Sequence, residues 1–401
     1  MKRYSTLISF ITVIILVIGT FYIQKSFASS SLPDIEIKKV RGIDEEVNNL
    51  TIHANLMNDG LYEQVEITNE ETTFASDESF VERYLGSAQP EITELQKKYR
   101  NFMRGKIGGI EFFFEDDNYV AYADVVSDYG YSEIRNFDFS IDVLDKETED
   151  NIKITEQVPN KENFSYIWVQ DVQIHDDELM VTTVNDLRES NGTEVYVYTF
   201  SLKEKKLISD HTILNHTNDN PNSWVEMRLN NAAYGSEPLE WLLLSKEEMT
   251  HDSSGMINEQ EKSLYVYNYE TNGIKELDLP EGLSKQIGFI PLLMDSNTIY
   301  FPTHDNGKVG MTGIDILTQE ITIDQTFDLN LSAEQLHNPY LKIMDGKIYM
   351  IAVDQGQMMT GTLKDVSLMI ADLTTFEVLY EGKLEIEGDN NELYISNITV
   401  D

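Results

Sequence analysis

Residues 175–207 read HDDELMVTTVNDLRESNGTEVYVYTFSLKEKKL, two apolar runs each entered or left through a polar turn. The same grammar returns at residues 344–353, MDGKIYMIAV, and at 368–379, LMIADLTTFEVL. Alternation of apolar and polar residues into a tight turn is the mark of a β-hairpin. A hairpin written several times along one chain makes internal repetition the first question to settle.

Two landmarks count the repeats. Short apolar runs follow acidic turns at Asp117-Asn118, Asp177-Glu178, Asp295-Ser296-Asn297 and Asp345-Gly346, with gaps of 60, 118 and 50 residues between the aspartates. The gap of 118 is close to two periods and places a hidden unit near residue 236, where YGSEPLEWLLLS supplies a turn and an apolar run. Hairpins such as FSIDVLDKETE and LYVYNYETNGIKEL give the second landmark, with turns near Asp145, Leu202, Thr271, Thr318 and Thr374. Upstream, residues 50–74 make a sixth unit, with Asn58-Asp59-Gly60 as its first turn. Downstream, NELYISNITVD (391–401) is a solitary strand suited to joining the first sheet.

Repeats of this length with several strands each, and an orphan strand at one end, resemble the β-propeller architecture over residues 35–401. The resemblance is to the architecture in general. No unit carries a Trp-Asp dipeptide, a Kelch double glycine or a Ser-x-Asp-x-Gly-x-Thr-Trp box. The fold class read here is all-β, a six-bladed propeller with seven blades as the alternative count and a pair of β-sandwiches as the alternative architecture. One helical insertion, near 79–106, interrupts it. There PEITELQKKYRNFMRG (90–105) has Pro90 in the first turn, Gly105 at the stop, and Ile92, Leu95, Tyr99 and Phe102 along one face.

The first 28 residues stand apart. Lys2 and Arg3 precede an uncharged stretch from Tyr4 to Gln24, long enough to span a bilayer, which takes about 20 residues. This predicts a single-pass transmembrane anchor with the N-terminus in the cytoplasm and residues 29–401 as an extracytoplasmic domain. Cleavage as a signal peptide near Phe27-Ala28-Ser29, giving a secreted protein, is the alternative. The absence of cysteine removes disulfides and thiolate metal sites from that exterior domain. Beyond residue 28 stand 27 basic and 70 acidic residues, a net charge of −43, so nucleic acid is not an expected partner.

Catalytic motifs are missing from the chain. Seven histidines include no HExxH pair, and no GxSxG elbow, Walker loop or GxGxxG fingerprint occurs. In a propeller the equivalent loop of each blade opens on one face, so Asp117, Asp177, Asp295 and Asp345 are expected to ring one end of the channel. Tight turns need such residues for backbone reasons. A ring of carboxylates could supply oxygen ligands to a hard cation such as calcium, and no other cofactor is expected. Tyr196, Tyr198, Tyr265, Tyr267 and Tyr269 read as blade packing or, alternatively, a carbohydrate platform. Lys97, Lys98, Arg100 and Arg104, with Lys106, either complement the helix dipole or form a docking element on an otherwise acidic body. The function expected is a membrane-anchored binding or scaffold protein, a sensory or accessory subunit with an envelope or membrane protein as partner. The alternative is a metal-assisted hydrolase or lactonase.

Overall fold

The computed structural model describes Thr12 and residues 32–58, 61–77, 89–129, 134–190, 192–217, 223–230, 236–251, 257–285, 287, 292–305, 308–327, 339–353, 366–386 and 391–400. The expected anchor at 1–28 falls outside them except for Thr12. Among the described residues no helix is long and apolar enough to cross a membrane.

Alternating sequence becomes antiparallel strand throughout. After β1 (Ile35–Gly42), the first sheet takes β2 (Leu50–Asn58), β3 (Leu61–Ile67) and β4 (Thr72–Phe74). Helix α1 (Pro90–Lys98) precedes the second sheet, β5 (Phe113–Glu115), β6 (Tyr119–Tyr129), β7 (Ile134–Asp145) and β8 (Asn151–Gln157). The third holds β9 (Phe164–His175), β10 (Glu178–Leu187), β11 (Thr193–Ser201) and β12 (Lys206–His216). The fourth holds β13 (Ser223–Leu229), β14 (Trp241–His251), β15 (Ile257–Asn268) and β16 (Gly273–Glu276). The fifth holds β17 (Leu293–Asp295), β18 (Thr298–Asp305), β19 (Lys308–Asp315) and β20 (Ile321–Phe327). The sixth is β21 (Tyr340–Met344), β22 (Lys347–Val353), β23 (Val366–Asp372) and β24 (Val378–Ile386), and β25 (Asn391–Val400) returns to pair with β2.

The backbone forms two compact units, residues 88–303 with 310–325, and residues 1–87, 304–309 and 326–401. In the first of these, sheets pack in series through both faces. Phe139 and Val143 of the second sheet meet Leu179, Val181, Tyr198 and Phe200 of the third. On the third sheet's other face, Met180, Val184, Val195 and Val197 meet Leu242, Leu244 and Tyr267 of the fourth. The fourth sheet in turn sets Leu243, Leu264 and Val266 against Ile299, Phe301 and Ile314 of the fifth. Successive residues of β11 thus serve different cores, the period-two rule applied to a strand covered on both sides. Last strands such as β16 are exposed along their length. A sheet of a sandwich covers one face; here the third and fourth sheets are covered on both, and six successive antiparallel sheets of four strands, the sixth extended by β1, make the repeat of a β-propeller.

In the other unit the first and sixth sheets pack together through Ile52, Leu56, Leu393 and Ile398 against Tyr349, Ile351, Leu368 and Ile370. Both chain ends take part. β25 pairs with β2 from Leu50↔Val400 to Asn58↔Asn391, and β1 extends the sixth sheet by pairing with β24. Lys342 donates from β21 to the Asn397 side chain and the Ile398 carbonyl of β25, at 2.9 and 2.8 Å.

The five hairpins of the second landmark are one turn repeated between third and fourth strands. Asp145, Ser201, Asn268, Asp315 and Asp372 each accept a backbone N–H two or three residues on, for example Thr318 N to Asp315 Oδ1 at 2.7 Å. Four residues after each cap lies a left-handed residue, Glu149, Lys205, Asn272, Gln319 and Phe376, with φ of 60, 54, 55, 61 and 57°. This is a four-residue hairpin connection whose last residue is left-handed, as in the pairs Ser201↔Lys206 and Asn268↔Gly273. The N–H of Thr148 holds Asp145 below the usual carboxylate range, as those of Thr318 and Thr375 do for Asp315 and Asp372. A folded-state pKa below the unfolded value adds stability that is present at neutral pH and lost as pH falls through the folded value. Combined replacement of Asp145, Asp315 and Asp372 by Ala should therefore lower the melting temperature at pH 7, with the three effects adding. In acid, variant and wild type should converge; an equal gap at every pH would reject the carboxylate account.

The first sheet departs from the expected phase. Asn58-Asp59-Gly60 lies between β2 and β3, its second and third strands, because its first strand is supplied by β25. Helix α1 is also shorter than expected and ends at Lys98, since Tyr99 leaves helical geometry at φ −124°, ψ 49°. Gly105, with φ +83°, closes the turns that follow rather than the helix itself. The apolar face is as expected: Ile92, Leu95 and Phe102 are buried with Ile110, Phe113 and Val120 of the second sheet, and Tyr99 packs against them.

Candidate functional site

The basic element divides into tethered and untethered cations. Lys98 Nζ and Tyr99 OH both donate to Glu115 Oε1 at 2.5 Å, and Lys146 Nζ reaches the same oxygen at 2.9 Å. Burial pushes Glu115 upward, but these three donors outweigh it and hold the carboxyl below its ordinary range. Lys106 is fixed by Asp142 at 2.9 Å and the Phe102 carbonyl at 2.6 Å, with its ammonium 3.8 Å from the Phe102 ring centroid. Lys97, Arg100 and Arg104 are exposed, and none makes an ion pair with a described residue. Of the four residues of the expected docking element, Lys98, itself exposed, is thus paired to Glu115, and the other three make no ion pair with a described residue.

The acidic turns occupy equivalent places. Asp117, Asp177, Asp295 and Asp345 lie at or beside the connection from first to second strand of the second, third, fifth and sixth sheets. Asp177 and Asp345 take left-handed backbone, φ 63 and 50°, as does Ser296 next to Asp295. Asp177 Oδ1 accepts from Tyr119 OH at 2.9 Å, and this bond, together with burial, pushes the phenol to about 12. Among the described residues no three His, Asp or Glu side chains gather in a way that could hold a metal ion.

A buried polar cluster, absent from the sequence-based expectations, lies between the third and fourth sheets. The register of β9 slips at Gln170, so Asp171, Gln173 and His175 share the face of β9 that carries Tyr166 and Trp168. Tyr269 OH, just past β15, donates to Asp171 Oδ2 at 2.5 Å and lies 2.8 Å from Thr182 Oγ1. Gln173 Nε2 donates to Asp171 Oδ1 at 3.1 Å, while its Oε1 accepts from Leu239 N at 2.8 Å. The His175 ring stacks on Tyr269, centroids 5.8 Å apart. Asp171, Gln173, Thr182 and Tyr269 are all buried. Burial raises the Asp171 carboxyl to about 6 against the opposing donors Tyr269 and Gln173, and it raises the Tyr269 phenol far above its usual value. The proton therefore stays on Tyr269 and the carboxylate is its acceptor. Tyr198, Tyr267 and Tyr269 of the sequence's aromatic pairs are fully buried and serve as packing.

No protein-family model matches the chain. No curated protein matches it either. Solved structures similar to it include TolB from Acinetobacter baumannii, 12% identical over 86% of this chain and 66% of that one with a TM-score of 0.33. Polysaccharide lyase Uly1 is 8% identical over 68% of this chain and 57% of its own, TM-score 0.37. The Dos1 propeller is 9% identical over 65% and 55%, TM-score 0.28. The chain spans less than two thirds of the length of each.

Proposed function

We propose that the protein is a membrane-anchored, extracytoplasmic binding or scaffold module that docks an acidic segment of an envelope protein through Lys97, Arg100 and Arg104. The observation that carries this reading is the division among neighbouring cations. Lys98 and Lys106 are taken up by Glu115 and Asp142, yet the three others make no ion pair with a described residue, although the chain is strongly acidic. Exposed ion pairs contribute little to stability, about 0–1 kcal/mol, so keeping these cations at one place is better explained by binding than by folding. Charge complementarity of this kind governs encounter rate and partner choice.

Replacing Lys97, Arg100 and Arg104 together by Gln should abolish the product of cross-linking in intact membranes and leave the melting temperature within a degree or two of wild type. Leu95→Ala is the structural control. It removes a buried side chain and should cost about 2–5 kcal/mol of stability. Cross-linked product at wild-type yield from the triple variant would reject the docking role.

A further inference from the structure

Tyr166 and Trp168 project from the same face of β9, two residues apart, with ring centroids 4.2 Å apart at an interplanar angle of 44°. Trp168 is 43% exposed, whereas Tyr198, Tyr267 and Tyr269 of the adjoining cores are buried. Indole is the largest apolar group a chain can leave in water, and here it is braced by its neighbour rather than covered. Directly across the ladder Tyr166 pairs with Asp186 of β10, and Trp168 pairs with Val184. Side chains so paired on one face stand about 4.5–5.5 Å apart at Cβ.

Asp186 is half-buried. Its Oδ1 accepts from Thr193 Oγ1 at 3.4 Å, and no cation of the described chain approaches it. Burial accordingly pushes its carboxyl upward without a compensating charge. An anion in this position lacks the partner that buried charges ordinarily have. The aromatic pair beside it offers a negative ring face, most strongly at indole.

We infer that Tyr166, Trp168 and Asp186 form a binding site for a guanidinium group, an arginine side chain presented by a partner polypeptide. A planar guanidinium stacks flat on indole while its N–H fork donates to a carboxylate, a combination that a compact, strongly hydrated ammonium satisfies less well. The site stands on the third sheet, away in sequence from helix α1 and the turns that carry Lys97, Arg100 and Arg104, and it binds a cation rather than an acidic segment, so it is independent of the docking reading above.

Titration of the full chain with Nα-acetyl-arginine amide, followed by tryptophan fluorescence, tests the assignment. A saturable change is expected that is lost in Trp168→Ala and weakened about tenfold in Asp186→Asn. Nα-acetyl-lysine amide should bind more weakly, and the uncharged isostere Nα-acetyl-citrulline amide should not bind. Trp168 is 43% exposed and Asp186 half-buried, so both variants should keep a cooperative melting transition, which reports that the fold is intact. Citrulline binding as well as arginine would overturn the cation site. So would a linear, unsaturable response to arginine, or an unchanged affinity in folded Asp186→Asn.

Discussion

Asp171→Asn should change the pH dependence of stability by about 3 kcal/mol between pH 4 and pH 8, the variant gaining on the wild type as pH rises. An unfolded aspartate titrates near 3.9, whereas Asp171 in the fold titrates at about 6. Between those values the native state binds more protons than the unfolded chain, so wild-type stability falls as pH rises through the window and levels off above it. Asn cannot ionise and escapes that loss. Urea midpoints of the two proteins, measured at half-unit pH steps, provide the comparison, and parallel profiles would sink the assignment. Tyr269→Phe should have the opposite signature. It removes the 2.5 Å donor to the carboxylate, and the loss is greatest where Asp171 is ionised. A hydrogen bond to a charged group is worth about 1.5–3 kcal/mol.

Removal of residues 391–401 should leave a chain without a cooperative unfolding transition. β25 contributes Leu393 and Ile398, both fully buried, to the core shared by the first and sixth sheets. Losing a buried side chain of this size costs about 2–5 kcal/mol. Two such losses, with a ladder left open along β2, approach the whole stability of an ordinary domain, about 5–15 kcal/mol. The bared edge also invites association between chains. Deletion of β1 is the instructive contrast, because only Ile35 of its eight residues is buried. That variant should stay soluble with a lowered melting point. A wild-type transition in the 391–401 deletion would show that β25 is dispensable to the first sheet.

The repeats were legible because turn chemistry is local. Asp145, Asp315 and Asp372 cap their own loops within three residues, so the second landmark appears in the sequence at each hairpin. The solitary strand at 391–401 does join the first sheet as expected, but the turn at Asn58-Asp59-Gly60 was out of phase, since with β25 as first strand that turn connects the second strand to the third. Asp171, Gln173 and His175 alternate with Val172 and Ile174, which reads as a half-exposed strand. Only when both faces of β9 are seen to be covered does each polar residue demand a partner, and those partners, Tyr269 and Leu239, lie 98 and 66 residues away. The division of the cations was hidden in the same way. Lys97 and Lys98 are alike in sequence, and what separates them is Glu115 beyond the helix.

The pairing of β25 with β2 imposes an order of events during synthesis. β2 is made early, yet the strand that shields one of its edges leaves the ribosome after all the other described strands. Until then the first sheet waits with an open flank. If the chain is threaded across a membrane as it is made, the first sheet becomes protease-resistant only after β25 has emerged. A polypeptide cut short by a premature stop would never reach that state and would be cleared.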